Sequence, residues 1–190
     1  TLGDTAFTVT ASTSRDDGIN ISTLTSLAED GVVNLRLPII GDDGALYVLA
    51  SIGTALAGNT VLTELYIPDT VTSIGGSAVT GATALGKVRL PATLISIGGS
   101  AFKDCSSLSN IVNFLAPTVT SVGGEFIRGT KVKQVLYLSN PNMTATTTTF
   151  CLYTGCVIGF DMTGSGIKSH NAGWEFFGAG GLREVIFSDV

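Results

Sequence analysis

Apolar residues recur along this chain in a short, fixed frame. Positions one, four and six of a run are apolar, and the residues between them are mostly polar. The frame is sharpest at Leu62-Thr63-Glu64-Leu65-Tyr66-Ile67-Pro68 and returns at Leu85-Gly86-Lys87-Val88-Arg89-Leu90-Pro91. It returns again at Leu108-Ser109-Asn110-Ile111, with Asn113 in the sixth place. Val32, Leu35 and Leu37 fit it, as do Val132, Val135 and Tyr137, then Val157, Phe160 and Met162, then Leu182, Val185 and Phe187. Frames therefore start at 32, 62, 85, 108, 132, 157 and 182, at intervals of 30, 23, 23, 24, 25 and 25 residues. Alternation at positions four and six predicts a short strand with both side chains pointing inward. Pro68 and Pro91 predict its end, because proline cannot donate to a sheet ladder.

The second half of the unit repeats too. Val71-Thr72-Ser73-Ile74-Gly75-Gly76-Ser77-Ala78-Val79 matches residues 94–102 and residues 119–127. Val71 with Ile74, and Leu94 with Ile97, predict an apolar return path. The Gly pairs at 75–76, 98–99 and 123–124 predict a turn, by supplying positive φ or by allowing a close backbone approach between coils. A phosphate cradle is disfavoured, since no GxxxxGK[ST] or GxGxxG context surrounds them. Ala78-Val79, Ala101-Phe102 and Phe126-Ile127 predict a short helical turn back to the core. A unit of this size cannot bury its own apolar face, so units must stack around one shared interior. The fold class expected is mainly β with short helical turns. It is a solenoid over residues 32–190, of about seven coils with the last incomplete, preceded by an N-terminal cap over residues 1–31.

With those residues in view, the string from Leu62 to Ile127, "L-x-x-[LV]-x-[LI]-P-x-T-[VL]-x-S-I-G-G-S-A-[VF]…C-S-S-L", resembles the BspA-like, Treponema-type leucine-rich repeats. The match is specific over residues 62–127 and looser at 32–61 and 128–187. The resemblance implies a right-handed leucine-rich-repeat solenoid with one parallel sheet. It also implies a secreted or cell-surface protein used in adhesion or protein binding, and it brings no catalytic residues. Departures are Val79 and Ile127 in place of the usual Phe, Ala82 and Thr130 in place of the usual Cys, and insertions near Phe114–Pro117 and Asn140–Thr149.

Residues 1–31 stand outside the frame. Phe7 and Val9 alternate with threonines and predict a strand; Arg15-Asp16-Asp17-Gly18 predicts a tight turn; Ile21, Leu24 and Leu27 recur at helical spacing. Gly41-Asp42-Asp43-Gly44 is a second such turn, inside the longest repeat. A Ca²⁺ site from Asp16, Asp17, Asp42 and Asp43 is disfavoured against plain hairpin turns, because no ladder of alternating oxygen ligands is present.

Composition narrows the function. The 190 residues are 44% hydrophobic and 13% charged, with a net charge of −5. Ten Lys and Arg against fifteen Asp and Glu leave no basic footprint for nucleic acid. Ala45–Gly58 is the longest apolar stretch and is too short and too interrupted to span a membrane. His170 is the single histidine; there is no GxSxG elbow and no spaced zinc signature, and the acidic residues are scattered. No cofactor and no enzyme activity are expected, although a glycan-processing module stays open as a minor alternative. Of three cysteines, Cys105 reads as a small buried apolar group, and Cys151 with Cys156 are close enough for a disulfide if the chain is exported. Asn20 and Asn142 open N-glycosylation patterns.

A binding surface is easier to derive. The residue between positions four and six points away from the core: Arg36, Tyr66, Arg89, Val112, Leu136, Asp161 and Ile186. Arg36, Tyr66 and Arg89 suit a polar or acidic partner, through stacking and forked hydrogen bonds. Val112, Leu136 and Ile186 form an apolar column, open to a partner or covered by loops. The last frame, at Leu182, Val185 and Phe187, has no return segment after it. That leaves three readings: a piece of a longer protein, cover by a neighbouring loop, or head-to-tail stacking on copies of itself in a filament or surface array.

Overall fold

The computed structural model describes residues 6–11, 19–26, 31–36, 39–40, 44–113, 117–132, 135–137, 159–161 and 184–186. In chain order the strands are β1 (Ala6–Ala11), β2 (Ile19–Ser26), β3 (Val32–Asn34), β4 (Ile39–Ile40), β5 (Leu46–Tyr47), β6 (Leu49–Ile52), β7 (Glu64–Tyr66), β8 (Ser73–Ile74), β9 (Lys87–Arg89), β10 (Ser96–Ile97), β11 (Asn110–Val112), β12 (Ser121–Val122), β13 (Val135–Tyr137), β14 (Gly159–Asp161) and β15 (Glu184–Ile186).

Over residues 32–122 each of four repeats contributes one strand to each of two parallel stacks. The frame strands stack as β3-β7-β9-β11, and the return strands stack as β6-β8-β10-β12. The register is in phase with the repeat: Val33, Leu65, Val88 and Ile111 share one column, and Ile52, Ile74, Ile97 and Val122 share another. All eight are at most 2% exposed. Leu62, Leu85 and Leu108 at position one, Ile67 and Leu90 at position six, and Val71, Leu94 and Val119 on the return path complete one continuous core. The predicted solenoid with inward positions one, four and six is therefore the architecture found.

The turn segments are not helical. After each Gly pair, N–H groups donate to the next coil rather than back along their own: Ser77 to Gly99 O, Val79 to Ala101 O and Gly81 to Lys103 O, then Ser100 to Gly124 O, Phe102 to Phe126 O and Asp104 to Arg128 O. Within a coil only three-residue bonds close, such as Thr80 N–H to Ser77 O and Cys105 N–H to Phe102 O. Donors engaged between coils are lost to the four-residue ladder a helix needs, and no helix occurs among the described residues.

The glycine pairs answer to one of their two predicted reasons. Positive φ falls instead on the residue after each pair, at Ser77 (56°), Ser100 (57°) and Glu125 (57°). The glycines give room: a Cβ on Gly98 would lie 2.3 Å from Gly76 N, and one on Gly123 would lie 2.1 Å from Gly99 N.

Three sequence expectations are corrected. Residues 19–26 form β2, not a helix, paired antiparallel with β1. The register steps from Thr8 opposite Thr23 to Val9 opposite Ile21, so a bulge absorbs one residue. Ile21 and Leu24 thereby oppose Val9 and Phe7, and their three-residue spacing imitates a helix. Leu27 lies outside the described residues. The first frame is displaced by two: Val33, not Leu35, pairs with Leu65, and Thr63 N–H donates to Gly31 O (2.8 Å) just as Gly86 N–H donates to Thr63 O (2.9 Å). Counting back from Val33 in the sequence puts position one at Asp30, where no apolar residue marks it. In a separate three-stranded sheet, β13-β14-β15, it is Leu136 rather than Val135 that pairs with Phe160, which in turn pairs with Val185.

β2 also pairs in parallel with β6, so the β1–β2 hairpin extends the return sheet. The long first repeat carries a second antiparallel hairpin, β4–β5. Both Asp-Asp-Gly sequences thus fall between antiparallel strands, as hairpin turns require. Asp16, Asp17, Asp42 and Asp43 themselves lie outside the described residues.

Candidate interaction surface

The strand β7 ends its inward alternation at Ile67, so Glu64 and Tyr66 face away from the core on either side of Leu65. One coil on, Lys87 and Arg89 flank Val88 in the same way, and on β11 Asn110 and Val112 flank Ile111. In-phase stacking sets Asn34, Tyr66, Arg89 and Val112 in one row and Val32, Glu64, Lys87 and Asn110 in another. Rows on adjacent strands lie about 4.8 Å apart.

Within this face one cluster is self-satisfied. The Tyr66 hydroxyl donates to Glu64 Oε2. Lys87 Nζ donates to the Tyr66 oxygen at 3.0 Å, lies 3.4 Å from Glu64 Oε2 and sits 5.2 Å from the Tyr66 ring centroid. Glu64's carboxyl is held below its ordinary value of 4.5 by the Tyr66 hydrogen bond first and by Lys87 next. The Lys87 ammonium is raised above 10.5 by the Tyr66 oxygen and then the Glu64 charge. Both groups are more than a third exposed, so the pairing adds little stability; it fixes the pose of the Tyr66 ring.

Arg89 is different. It stands beside Tyr66 and Val112, half-buried, and its guanidinium has no ion pair or side-chain hydrogen bond among the described residues. With Glu64 already matched by Lys87, the free charge of this face is positive, on a chain whose net charge is −5.

The sequence-derived contact residues therefore divide. Tyr66, Arg89 and Val112 come together in one row on three adjacent strands. Arg36 is replaced in that row by Asn34, because the first frame is displaced, and lies beyond the end of β3. Leu136 and Ile186 are on the separate sheet β13-β14-β15 and in different columns of it: Ile186 aligns with Asp161 and Tyr137, Leu136 with Phe160 and Val185. Val185 is on β15, while Leu182 and Phe187 lie outside the described residues, as do Cys151, Cys156, His170 and Asn142. The Glu64–Tyr66–Lys87 cluster was not read from the sequence. Its signal was there, as opposite charges at the same position of consecutive repeats.

Elsewhere polar groups serve the stack. Lys103 Nζ and Arg128 Nη1 reach Glu125 at 2.9 and 2.8 Å, and the Lys103 hydrogen bond leads in lowering the Glu125 carboxyl. Cys105 is fully buried, its Sγ donating to Val79 O at 3.1 Å, and burial pushes its thiol up to about 12. Thr130, at the position equivalent to Cys105, donates instead to Ile127 O at 2.8 Å. Among the described residues no three His, Cys, Asp or Glu side chains gather as metal ligands, and no helix is long and apolar enough to cross a membrane.

Comparison with known proteins agrees with this geometry. Residues 49–153 match the model of the BspA type leucine rich repeat region in six copies. No curated protein matches the chain. A leucine rich repeat protein of T. pallidum has a similar structure, with TM-score 0.64 and 20% identity over 95% of this chain and 78% of that one. A leucine rich cell surface protein of Faecalibacterium prausnitzii is also similar, with TM-score 0.59 and 23% identity over 84% of this chain and 44% of that one.

Proposed function

This chain belongs to the family of BspA-type leucine-rich repeat proteins, and on that footing we propose that it is a non-catalytic, extracellular recognition protein. It binds other proteins through the outer face of the sheet β3-β7-β9-β11. The observation that carries this reading is the row Tyr66–Arg89–Val112: a pinned aromatic ring, an unmatched guanidinium and an apolar side chain on adjacent strands. Aromatic and arginine side chains dominate the energetics of protein interfaces, because they bury area and make directional bonds at once. The rigid solenoid holds them in place before any partner arrives, which lowers the ordering cost of association. A surface location is supported by the description of the F. prausnitzii neighbour as a cell surface protein, and adhesion is the role that fits such a face.

The test is binding of the purified chain to a panel of immobilised extracellular-matrix and cell-surface proteins, by biolayer interferometry. For any partner found, Tyr66→Ala with Arg89→Ala should weaken affinity by about 1–3 kcal/mol. Unchanged affinity moves the site away from this face, and silence across the panel removes the adhesion reading.

A further inference from the structure

The insertion in the first repeat builds a feature that the other described coils lack. Hairpin β4–β5 stands at the ends of the first two frame strands and encloses an apolar notch. Leu35, Ile39, Tyr47, Val48, Leu49 and Pro68 line it. The hairpin region carries three of the five large apolar side chains exposed among the described residues: Leu46 is 70%, Ile40 55% and Val48 54% exposed, with Val61 at 55% and Ile95 at 48% elsewhere. Such a cluster on one short element stands apart from the inward repeat positions such as Leu62, Leu65 and Ile67, which are at most 1% exposed.

One charged side chain belongs to the notch, that of Arg36. It is exposed, and among the described residues it has no ion pair or side-chain hydrogen bond. Asp69, between the lining residues Pro68 and Thr70, already accepts from Ala92 N–H at 2.9 Å. The notch lies just past Asn34 and Tyr66 along their strands, so it continues the face that ends in the second unmatched cation, Arg89.

We infer that this notch takes an acidic segment of a partner protein. One large apolar side chain of that segment enters among Ile39, Tyr47, Val48 and Pro68, and a neighbouring carboxylate pairs with Arg36. The choice of partner follows from charge: among the described residues Arg36 is unmatched in the notch and Arg89 is unmatched on the adjoining face, where Glu64 is paired with Lys87. A guanidinium over an apolar floor matches a carboxylate next to an apolar side chain. This inference rests on the binding role proposed above and names its partner chemistry.

The experiment uses fluorescein-labelled decapeptides read by fluorescence anisotropy against the full chain. One set carries Phe or Leu flanked by Asp and Glu, a second replaces the acids with Asn and Gln, and a third replaces them with Lys. The acidic set should bind, with the amide and Lys sets at least about tenfold weaker. Arg36→Gln, and separately Val48→Ser, should each reproduce that loss; both sites are exposed, so the fold should tolerate the changes. Equal binding by the amide set, undiminished binding by Arg36→Gln, or no binding of the acidic set overturns the inference. Tyr66→Ala with Arg89→Ala separates the two readings. If that pair alone abolishes peptide binding, the sheet face binds and the notch does not; if matrix proteins bind the sheet face while no acidic peptide binds, the notch alone is lost.

Discussion

Single residues set how closely the coils can stack. Gly98 and Gly123 have ordinary φ values, and their constraint is steric: a methyl at either would strike backbone of the preceding coil at 2.3 or 2.1 Å. Gly98→Ala should therefore destabilise by about 1–3 kcal/mol or more in urea unfolding. Gly76→Ala is the control, because its Cβ meets Gly99 O only at 3.4 Å; an equal loss there would show that contact with the neighbouring coil's backbone does not govern the site. The Glu125 carboxyl is lowered in the folded chain, first by Lys103 and then by Arg128. A lowered carboxyl stabilises the fold above its unfolded value of about 4.5, and that contribution is lost as pH falls through the lower folded value. Glu125→Gln should flatten this acid limb of the stability curve, and an unchanged limb would assign it to other carboxylates. Cys105 runs the other way. Its thiol is pushed up to about 12, so its share of stability is lost as pH rises above the ordinary value of 9.0. At pH 8 the native chain should resist iodoacetamide at Cys105 while urea-unfolded chain reacts, as peptide mapping would show.

At the scale of elements, the β1–β2 hairpin covers the first strand of the return sheet. β6 pairs with β8 on one side and β2 on the other. Deleting residues 1–26 would strip β6 of a partner while Leu49 and Ile52, each buried, remain behind it. The truncated chain should melt several degrees lower and associate with rising concentration, because an uncovered strand edge pairs with other chains. A monomeric truncation of unchanged Tm would deny the hairpin any capping role. This element also marks the limit of what the sequence discloses. The coils starting at Leu62, Leu85 and Leu108 were legible because apolar positions one and four, and proline after the first two, repeat within a single spacing. The first coil was misframed because Leu35 satisfies two overlapping frames and Asp30 gives position one no apolar signal. The bulge in β2 gave Ile21 and Leu24 a helix-like interval. The Tyr66–Arg89–Val112 row was readable, since it needs only the period. The notch was not, because it depends on how an inserted hairpin leans on the ends of strands some 30 residues away.

For the whole molecule, the arrangement is one-dimensional: in the two sheets of the described coils, each strand hydrogen-bonds only to the coil before it and the coil after it. Energetic coupling between core positions should then decay within one coil spacing. Ile74 and Ile97 are direct neighbours in the return sheet, whereas Ile52 and Val122 sit three strands apart in the same column, about 14 Å at the usual strand separation. Truncating Ile74 or Ile97 to Ala should each cost about 2–5 kcal/mol. The double change should depart from the sum of the singles by about 0.5 kcal/mol or more, since the two cavities merge and the walls between them relax together. Ile52→Ala with Val122→Ala should instead add within about 0.5 kcal/mol, because no side chain is shared between their cavities. Urea titrations of the four single and two double variants measure both cycles. Coupling of equal size in the near and far pairs would mean that strain passes through several coils at once, and the picture of independent rungs joined only to their neighbours would fail.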